Sequence, residues 1–531
     1  MYPTPRSHRP LIMGRNGAVG ANHPMAAEAG LDILRAGGNA ADASVAVSLA
    51  LGVCEPMMSG LGGDGFYHLF MAGSRGALVF NGTGPAPRSA APERYRGGIP
   101  VTGPLSVSVP GSLAGIAAMH SAHGRLPWAR LVAPAIALAR HGFAATHGFR
   151  HFAAESRACL AADRRSGKVF LGHELAGLVV QTDLARSLEE VAADGAEGFY
   201  RGRLAARLAR GLEEAGALVT EADLAAFRAE LQAPIGIAYR GFEIRQTPPN
   251  STGFVLLQML KIVERFDLDA LSPVERVHVL VEAKKRAFLD RERHGADPRF
   301  ETAPLEHLLS DAHADALAAG IDLDRAAALD LETETAEADT TYFCVVDADG
   351  NAVSGIQSIN SAFGSGVTAG DTGVLMNNRM AYWHLAEGHP NRLVPGKRVR
   401  HTMNAPMVFK DGKLWCVLGT PGGDNQVQVN LQVLTAMLDF GADPQTALEL
   451  PRWTSSQAGQ GANWPHDGDG ALTIESDAGE EVLQGLERLG HDVKRVGHLE
   501  GPCAMQAIRV MPNGVRVAAS DPRRDGWACA Y

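Results

Sequence analysis

Apolar positions along this chain come in two kinds of block: stretches repeating at helical spacing, and short runs of strand length. Residues 16–30 predict a short strand and then a helix over Pro24–Ala36, closed by Gly37-Gly38; another helix covers about Ala40–Leu51. The long apolar stretch Ala40–Cys54 contains Asp42 and falls short of the ~20 residues that cross a bilayer, so it reads as a buried helix. Ser59-Gly60-Leu61-Gly62-Gly63-Asp64-Gly65 leads into Phe66–Phe70, a strand-length apolar run. Residues 108–235 are mostly helical in pattern and rich in Ala and Arg. Within them Thr220 is an N-cap with an acid three residues on, opening a helix over Asp223–Glu230. An amphipathic helix over Gly253–Phe266 follows the turn Pro248-Pro249-Asn250-Ser251-Thr252.

The pattern changes near residue 320. Asp322–Asp339 is strongly acidic, with Arg325 its one base, and Glu332–Asp339 reads as an exposed, poorly packed connector. Directly behind it Thr341–Val346 is strand-like, and Asp349-Gly350 supplies turn chemistry before Ala352–Ile359. A second hairpin, Met407–Phe409 and Leu414–Leu418 around Asp411-Gly412, runs through Thr420-Pro421-Gly422-Gly423-Asp424 into a long helix over Gln426–Phe440.

Charge and composition narrow the function classes. A formal net charge of −10, spread over 531 residues, argues against nucleic acid and against an anionic membrane surface. Met1–Pro10 has no apolar run behind its positive charges, so export by a secretory signal is not expected and a cytoplasmic location is. The six cysteines are dispersed without a C-x-x-C pair, as core residues of a reducing compartment would be, and no zinc site is visible.

Most short motifs fail their context. Gly60-x-Gly62-x-x-Gly65 matches a dinucleotide fingerprint as a string, but helix, glycines, strand is the wrong order, and a tight glycine turn beneath another backbone fits better. His147 and His151 have the i,i+4 spacing of metal ligands without a third ligand nearby, so a surface or capping pair is favoured. Neither Ser59-Gly60 nor Gly364-Ser365-Gly366 forms a nucleophile elbow. The junction Asp339-Thr340-Thr341 says more. If the Asp339–Thr340 bond is cut, Thr340 gains an α-amine of pKa ~7.7–8.0, and hydroxyl and general base then sit on one residue. Gly422-Gly423, between a strand end and a helix start, can aim N–H groups at an oxyanion. Alone, a Thr at a strand start is merely a good β former.

Taken together, His23–Gly30, Gly37–Ala43, Ser59–Gly65, Val109–Ser112, Thr340–Asp347, Gly350–Val353, Asn377–Met380 and Thr420–Gly423 resemble the γ-glutamyltranspeptidase family, in the family's order, from about residue 16 to Tyr531. The resemblance implies an α+β fold, the four-layer αββα sandwich of N-terminal nucleophile hydrolases, built from two intertwined subunits of one precursor. Self-cleavage between Asp339 and Thr340 would give a large subunit, 1–339, and a small one, 340–531; pairing of two such heterodimers is left open. Thr340 would be nucleophile and base, with Ser358 supporting it. Asn360 would contact the substrate, and Gly422 and Gly423 would form the oxyanion hole. No cofactor or metal is implied.

The family's acyl pocket is altered here. Asn81 stands where an Arg normally meets the γ-glutamyl α-carboxylate. Arg379 and Tyr382 replace the usual Gln and Asp, and His401 and Thr402, beside Arg400, align with a serine pair. Losing two charge-assisted hydrogen bonds removes roughly 3–6 kcal/mol, or ~10²–10⁴ in affinity. Arg379 and Arg400 add cations where an acid was lost, so the expected acyl group keeps a carboxylate and lacks an ammonium, as in oxamate or glutaryl amides. A solvated surface arginine is the alternative for Arg400. Oxamate amidohydrolases and cephalosporin acylases are among the family members resembled. The segment between Met380 and Arg400 is short for a lid, which favours hydrolysis over transfer. Two alternatives stand beside this reading: a true γ-glutamyl hydrolase or transpeptidase of glutathione metabolism, and an uncleaved, non-catalytic binding protein.

Overall fold

A computed structural model describes residues 7–329, 331 and 339–531, Asp339 by its backbone alone. The N-terminal reading over residues 1–6 and the connector expected over Glu332–Asp339, up to residue 338, lie outside the described residues. Two antiparallel seven-stranded sheets organise the chain. Their strands are β1 (Ile12–Gly14), β2 (Ala18–Ala21), β3 (Asp64–Met71), β4 (Gly76–Gly82), β5 (Glu230–Gln232), β6 (Ile235–Tyr239), β7 (Phe242–Gln246), β8 (Asp339–Val346), β9 (Ala352–Asn360), β10 (Met407–Lys410), β11 (Lys413–Gly419), β12 (Gln506–Val510), β13 (Arg516–Ser520) and β14 (Trp527–Ala530). One sheet runs β1-β13-β12-β11-β10-β7-β6, the other β14-β2-β8-β9-β3-β4-β5. Each therefore mixes strands from before and after the Asp339–Thr340 junction.

Side-chain alternation gives the four layers. Tyr342, Cys344 and Val346 of β8 meet Met407, Val417 and Ile508 between the sheets. Phe343 and Val345 point the other way, into a helical layer that includes α1 (Pro24–Arg35) and α2 (Ala40–Cys54). The opposite sheet is covered by α3 (Gly253–Val263), α4 (Pro273–His294) and α5 (Asn425–Leu438). This is the αββα sandwich.

Helix α2 is buried on nearly every face, as expected, and is started by a capping box of Asn39 and Asp42. Two helices depart from their expected form. The one capped by Thr220 and Asp223 spans only Glu221–Ala226, because Glu230–Gln232 is taken as β5 by the edge of β4. Helix α3 ends at Val263 and buries every residue except Lys261, so the amphipathic pattern gives way to burial between the sheet and neighbouring helices. No helix among the described residues is long and apolar enough to cross a membrane. All six cysteines are free, four of them buried.

Candidate active site

Thr340 lies at the start of β8, buried, with the alternation that puts Tyr342 and Cys344 between the sheets. Its Oγ1 is reached by the Gln426 side-chain amide at 3.5 Å. Thr341 faces the helical side, where its hydroxyl donates to the buried Glu55 carboxylate. The β8–β9 register shifts between Asp339 and Thr341, so the ladder is irregular where the junction falls.

Gly422 and Gly423 join β11 to α5 with φ of 116° and 56°, a path that glycine takes without Cβ strain. A Cβ on Gly422 would stand 2.2 Å from the Cys503 sulfur. Among the described residues neither glycine N–H finds an acceptor, whereas their carbonyls accept from Asn425 at 2.9 Å and Gln426 at 3.2 Å. Gln426 thus ties the loop to Thr340: its backbone holds the Gly423 carbonyl and its side chain reaches the hydroxyl. Sequence reading missed this role and saw Gln426 only as a helix start.

Ser358 sits on β9 opposite Asp64, and its Oγ accepts from Asn360 N–H at 2.8 Å. Asn360 closes that strand at φ 81°. Its Nδ2 donates to Asn378 O at 3.1 Å and Asn463 Oδ1 at 2.7 Å, while its buried Oδ1 has no partner among the described residues. Nothing in the sequence around Asn463 marked it.

Arg379 is fully buried. Its Nε donates to Asp64 at 3.2 Å, its guanidinium lies 4.4 Å over the Tyr382 ring, and its Nη2 has no partner among the described residues. Burial pushes the Asp64 carboxyl up to about 6, against the pull of Arg379 and the Gly84 N–H. His401 Nε2 stands 3.6 Å from Asp64, and neither ring nitrogen is hydrogen-bonded among the described residues. Burial, with Arg379 and Arg398 nearby, holds its pKa well below the usual histidine range, so the ring is neutral. Tyr382 Oη and Thr402 Oγ1 are 3.2 Å apart. Arg379, Tyr382, His401 and Thr402 therefore come together around Asp64, whose carboxylate the glycine motif concealed.

Two other pocket candidates are held by different partners. Asn81 is saturated: its Nδ2 donates to Asn250 at 2.9 Å and Gln232 at 3.2 Å, and its Oδ1 accepts from Thr83 N–H and Oγ1. Arg400 is buried, which excludes the solvated alternative, and donates to Glu292 at 2.9 Å. The remaining motifs behave as their local chemistry suggests. A Cβ on Gly62 would lie 2.1 Å from Leu375 O, the close backbone approach expected of the turn. His147 and His151 are exposed on one short helix.

Among the described residues two clusters offer three metal-ligand groups each: His278, Glu282 and His491, and Glu292, His384 and His389. Glu282 is already paired with Lys285 at 2.8 Å and Arg286 at 2.6 Å, and Glu292 with Arg291 and Arg400. A divalent ion at either place would face two fixed cations.

A family model described as gamma-glutamyltranspeptidase matches residues 26–531. The glutathione hydrolase-like YwrD proenzyme of Bacillus subtilis is 39% identical over 97% of this chain and 99% of its own. The oxamate amidohydrolase proenzyme of Klebsiella pneumoniae is 35% identical over 97% and 98%. The crystal structure of cephalosporin acylase from Bacillus halodurans superposes with a TM-score of 0.91 at 33% identity, covering 100% of this chain and 98% of that one.

Proposed function

The chain belongs to the gamma-glutamyltranspeptidase family, and from that premise we propose that it is a self-processing amidohydrolase whose acyl substrate carries a carboxylate and no ammonium. Scission between Asp339 and Thr340 yields residues 1–339 and 340–531. The new α-amine takes the Thr340 hydroxyl proton as Oγ1 attacks the amide carbonyl. The N–H groups of Gly422 and Gly423 hold the oxyanion, the amine leaves with a proton, and water then attacks the ester to release the acid. Ser358 supports the nucleophile, Asn360 contacts the acyl side, and Arg379 receives the carboxylate beside Tyr382, His401 and Thr402. Asn81 and Arg400 shape the walls through Asn250 and Glu292.

One observation carries the catalytic reading: two adjacent glycine amides with no acceptor among the described residues, joined through Gln426 to a buried threonine hydroxyl. The acyl reading rests on Arg379 Nη2, a buried donor with no partner among the described residues. Names of two relatives, an oxamate amidohydrolase and a cephalosporin acylase, agree with amide cleavage of this kind. A γ-glutamyl substrate is the second reading, favoured by the relative named glutathione hydrolase-like. Its weakness is that Asp64, the acid at hand for an α-amine, is already bonded to Arg379.

The test is direct. Purified wild-type protein should run as two bands in denaturing electrophoresis, the smaller beginning Thr-Thr-Tyr-Phe, and should hydrolyse oxamate or glutaryl amides faster than a γ-glutamyl anilide. Thr340→Ala should remain one band and be inactive. Turnover of the γ-glutamyl compound alone would sink the acyl reading, and an active Thr340→Ala the catalytic one.

A further inference from the structure

Beside Gly422 a cavity of about 370 Å³ opens, walled in part by Asn425, Gln460, Asp467, Cys503 and Arg524. That is more than ten times the ~30 Å³ share of a water molecule and within the range of small-molecule sites. Its wall includes an oxyanion glycine, while Arg379, Tyr382 and His401 take no part in it. On the reading above, a group held there stands beside the Gly422 half of the oxyanion hole and outside the buried acyl cluster. Among the atoms of an amide substrate, that leaves the amine side.

Three carboxylates border the cavity, and two are matched. Asp424 is bonded to Arg291, and Asp469 lies 2.5 Å from the Lys494 ammonium. Asp467 is different: among the described residues its carboxylate has neither an ion pair nor a hydrogen bond, although its backbone carbonyl accepts from Gly461 N–H at 3.1 Å. The cation on the wall, Arg524, lies 5.2 Å from the Phe152 ring centre and donates toward the Met58 sulfur. On the amidohydrolase reading above, we infer that this cavity receives the leaving amine and that Asp467 selects an amine carrying a positive charge away from the scissile nitrogen.

Three glutaryl anilides test this. They share acyl group and scissile bond and differ at the para position: aminomethyl (cationic), methyl (neutral) or carboxylate (anionic). The cationic substrate should exceed the anionic one in kcat/KM by tenfold or more, as expected when one charge-assisted hydrogen bond is gained. In Asp467→Asn that ratio should fall about tenfold, and in Asp467→Lys it should invert. Comparing ratios between proteins cancels the intrinsic reactivity of the anilides. A ratio unchanged by both substitutions would overturn the inference. Calorimetric binding of 4-aminobenzylamine and 4-aminobenzoate supplies a readout independent of the acyl group. If no glutaryl anilide is turned over but the benzylamine binds preferentially and Asp467→Asn weakens it, the acyl reading fails and the leaving-group pocket stands. Equal binding of the two amines would overturn the pocket whatever the turnover.

Discussion

Arg379 presents a buried guanidinium nitrogen that has no hydrogen-bond partner among the described residues. A buried donor left unpaired costs about 1–3 kcal/mol, and a substrate carboxylate removes that cost while gaining a charge-assisted bond. Arg379→Met should therefore raise KM for an oxamate or glutaryl amide by roughly 10–100-fold, with a smaller change in kcat. That substitution also leaves the buried Asp64 without its guanidinium and should lower Tm, whereas Arg400→Met should lower Tm without the KM effect. The latter leaves Glu292 with one guanidinium fewer in a buried cluster, so the expected effect is a loss of stability of about 3–5 kcal/mol, read as a lowered Tm. Equal KM effects from the two substitutions would show that the acyl pocket extends to Arg400. Asp64 adds a pH signature. Its carboxyl titrates near 6 in the folded protein, above the ordinary 3.8, because burial outweighs Arg379 and the Gly84 N–H. The folded state thus holds this proton more tightly than the unfolded one, and Asp64's contribution to stability falls as pH rises from 3.8 through about 6. The same titration leaves Arg379 without a counter-charge below about 6, so KM for a carboxylate acyl group should fall there. Meanwhile kcat should fall as the Thr340 amine, pKa ~7.7–8.0, becomes protonated. Initial rates from pH 5 to 9 check both, and Asp64→Asn should flatten the KM profile alone.

Among the elements, the loop from β11 to α5 is the least tolerant of change near the proposed chemistry. Gly422 takes a φ that L side chains rarely adopt, and a Cβ there would press on the Cys503 sulfur. Gly422→Ala should shift the loop and its N–H, lowering kcat by about 10²–10³, the cost of losing one oxyanion donor. Electrophoresis would separate this effect from failed self-cleavage, since a processed but slow enzyme still shows two bands. This loop was legible because strand, Gly-Gly and helix follow one another in sequence. So was β8, where Thr341–Val346 alternates between two apolar layers. What sequence could not convey were partnerships closed by distant chain. Asn81 has the polarity of a ligand-binding residue, yet Asn250, Gln232 and Thr83 use all its hydrogen-bonding capacity. Arg400 read as a pocket cation or a solvated arginine, and the structure pairs it instead with Glu292 of α4. The misjudged helices have the same origin: β4 recruits Glu230–Gln232, and the neighbours of α3 bury its polar-patterned face.

At the scale of the whole molecule, the sheet order makes separation of the two halves costly. Strands before residue 340 and strands after it meet along two ladders in one sheet, β1–β13 and β10–β7. They meet along three in the other, β14–β2, β2–β8 and β9–β3. Every one of these ladders bonds backbone to backbone, and the apolar layer between the sheets draws on both halves, with Phe66 and Phe70 from one and Tyr342, Met407 and Ile508 from the other. Pulling the halves apart would expose this layer and open five rows of unpaired N–H and C=O groups. Cutting a single peptide bond at the head of β8 removes none of those contacts. The two fragments should therefore co-elute as one species in native gel filtration, across salt concentrations that would disperse a merely electrostatic complex, and part only in denaturant together with loss of the near-UV circular dichroism signal. Elution of the 340–531 fragment by itself under native conditions would mean that the ladders between the halves do not survive processing, and the intertwined arrangement would then describe the precursor alone.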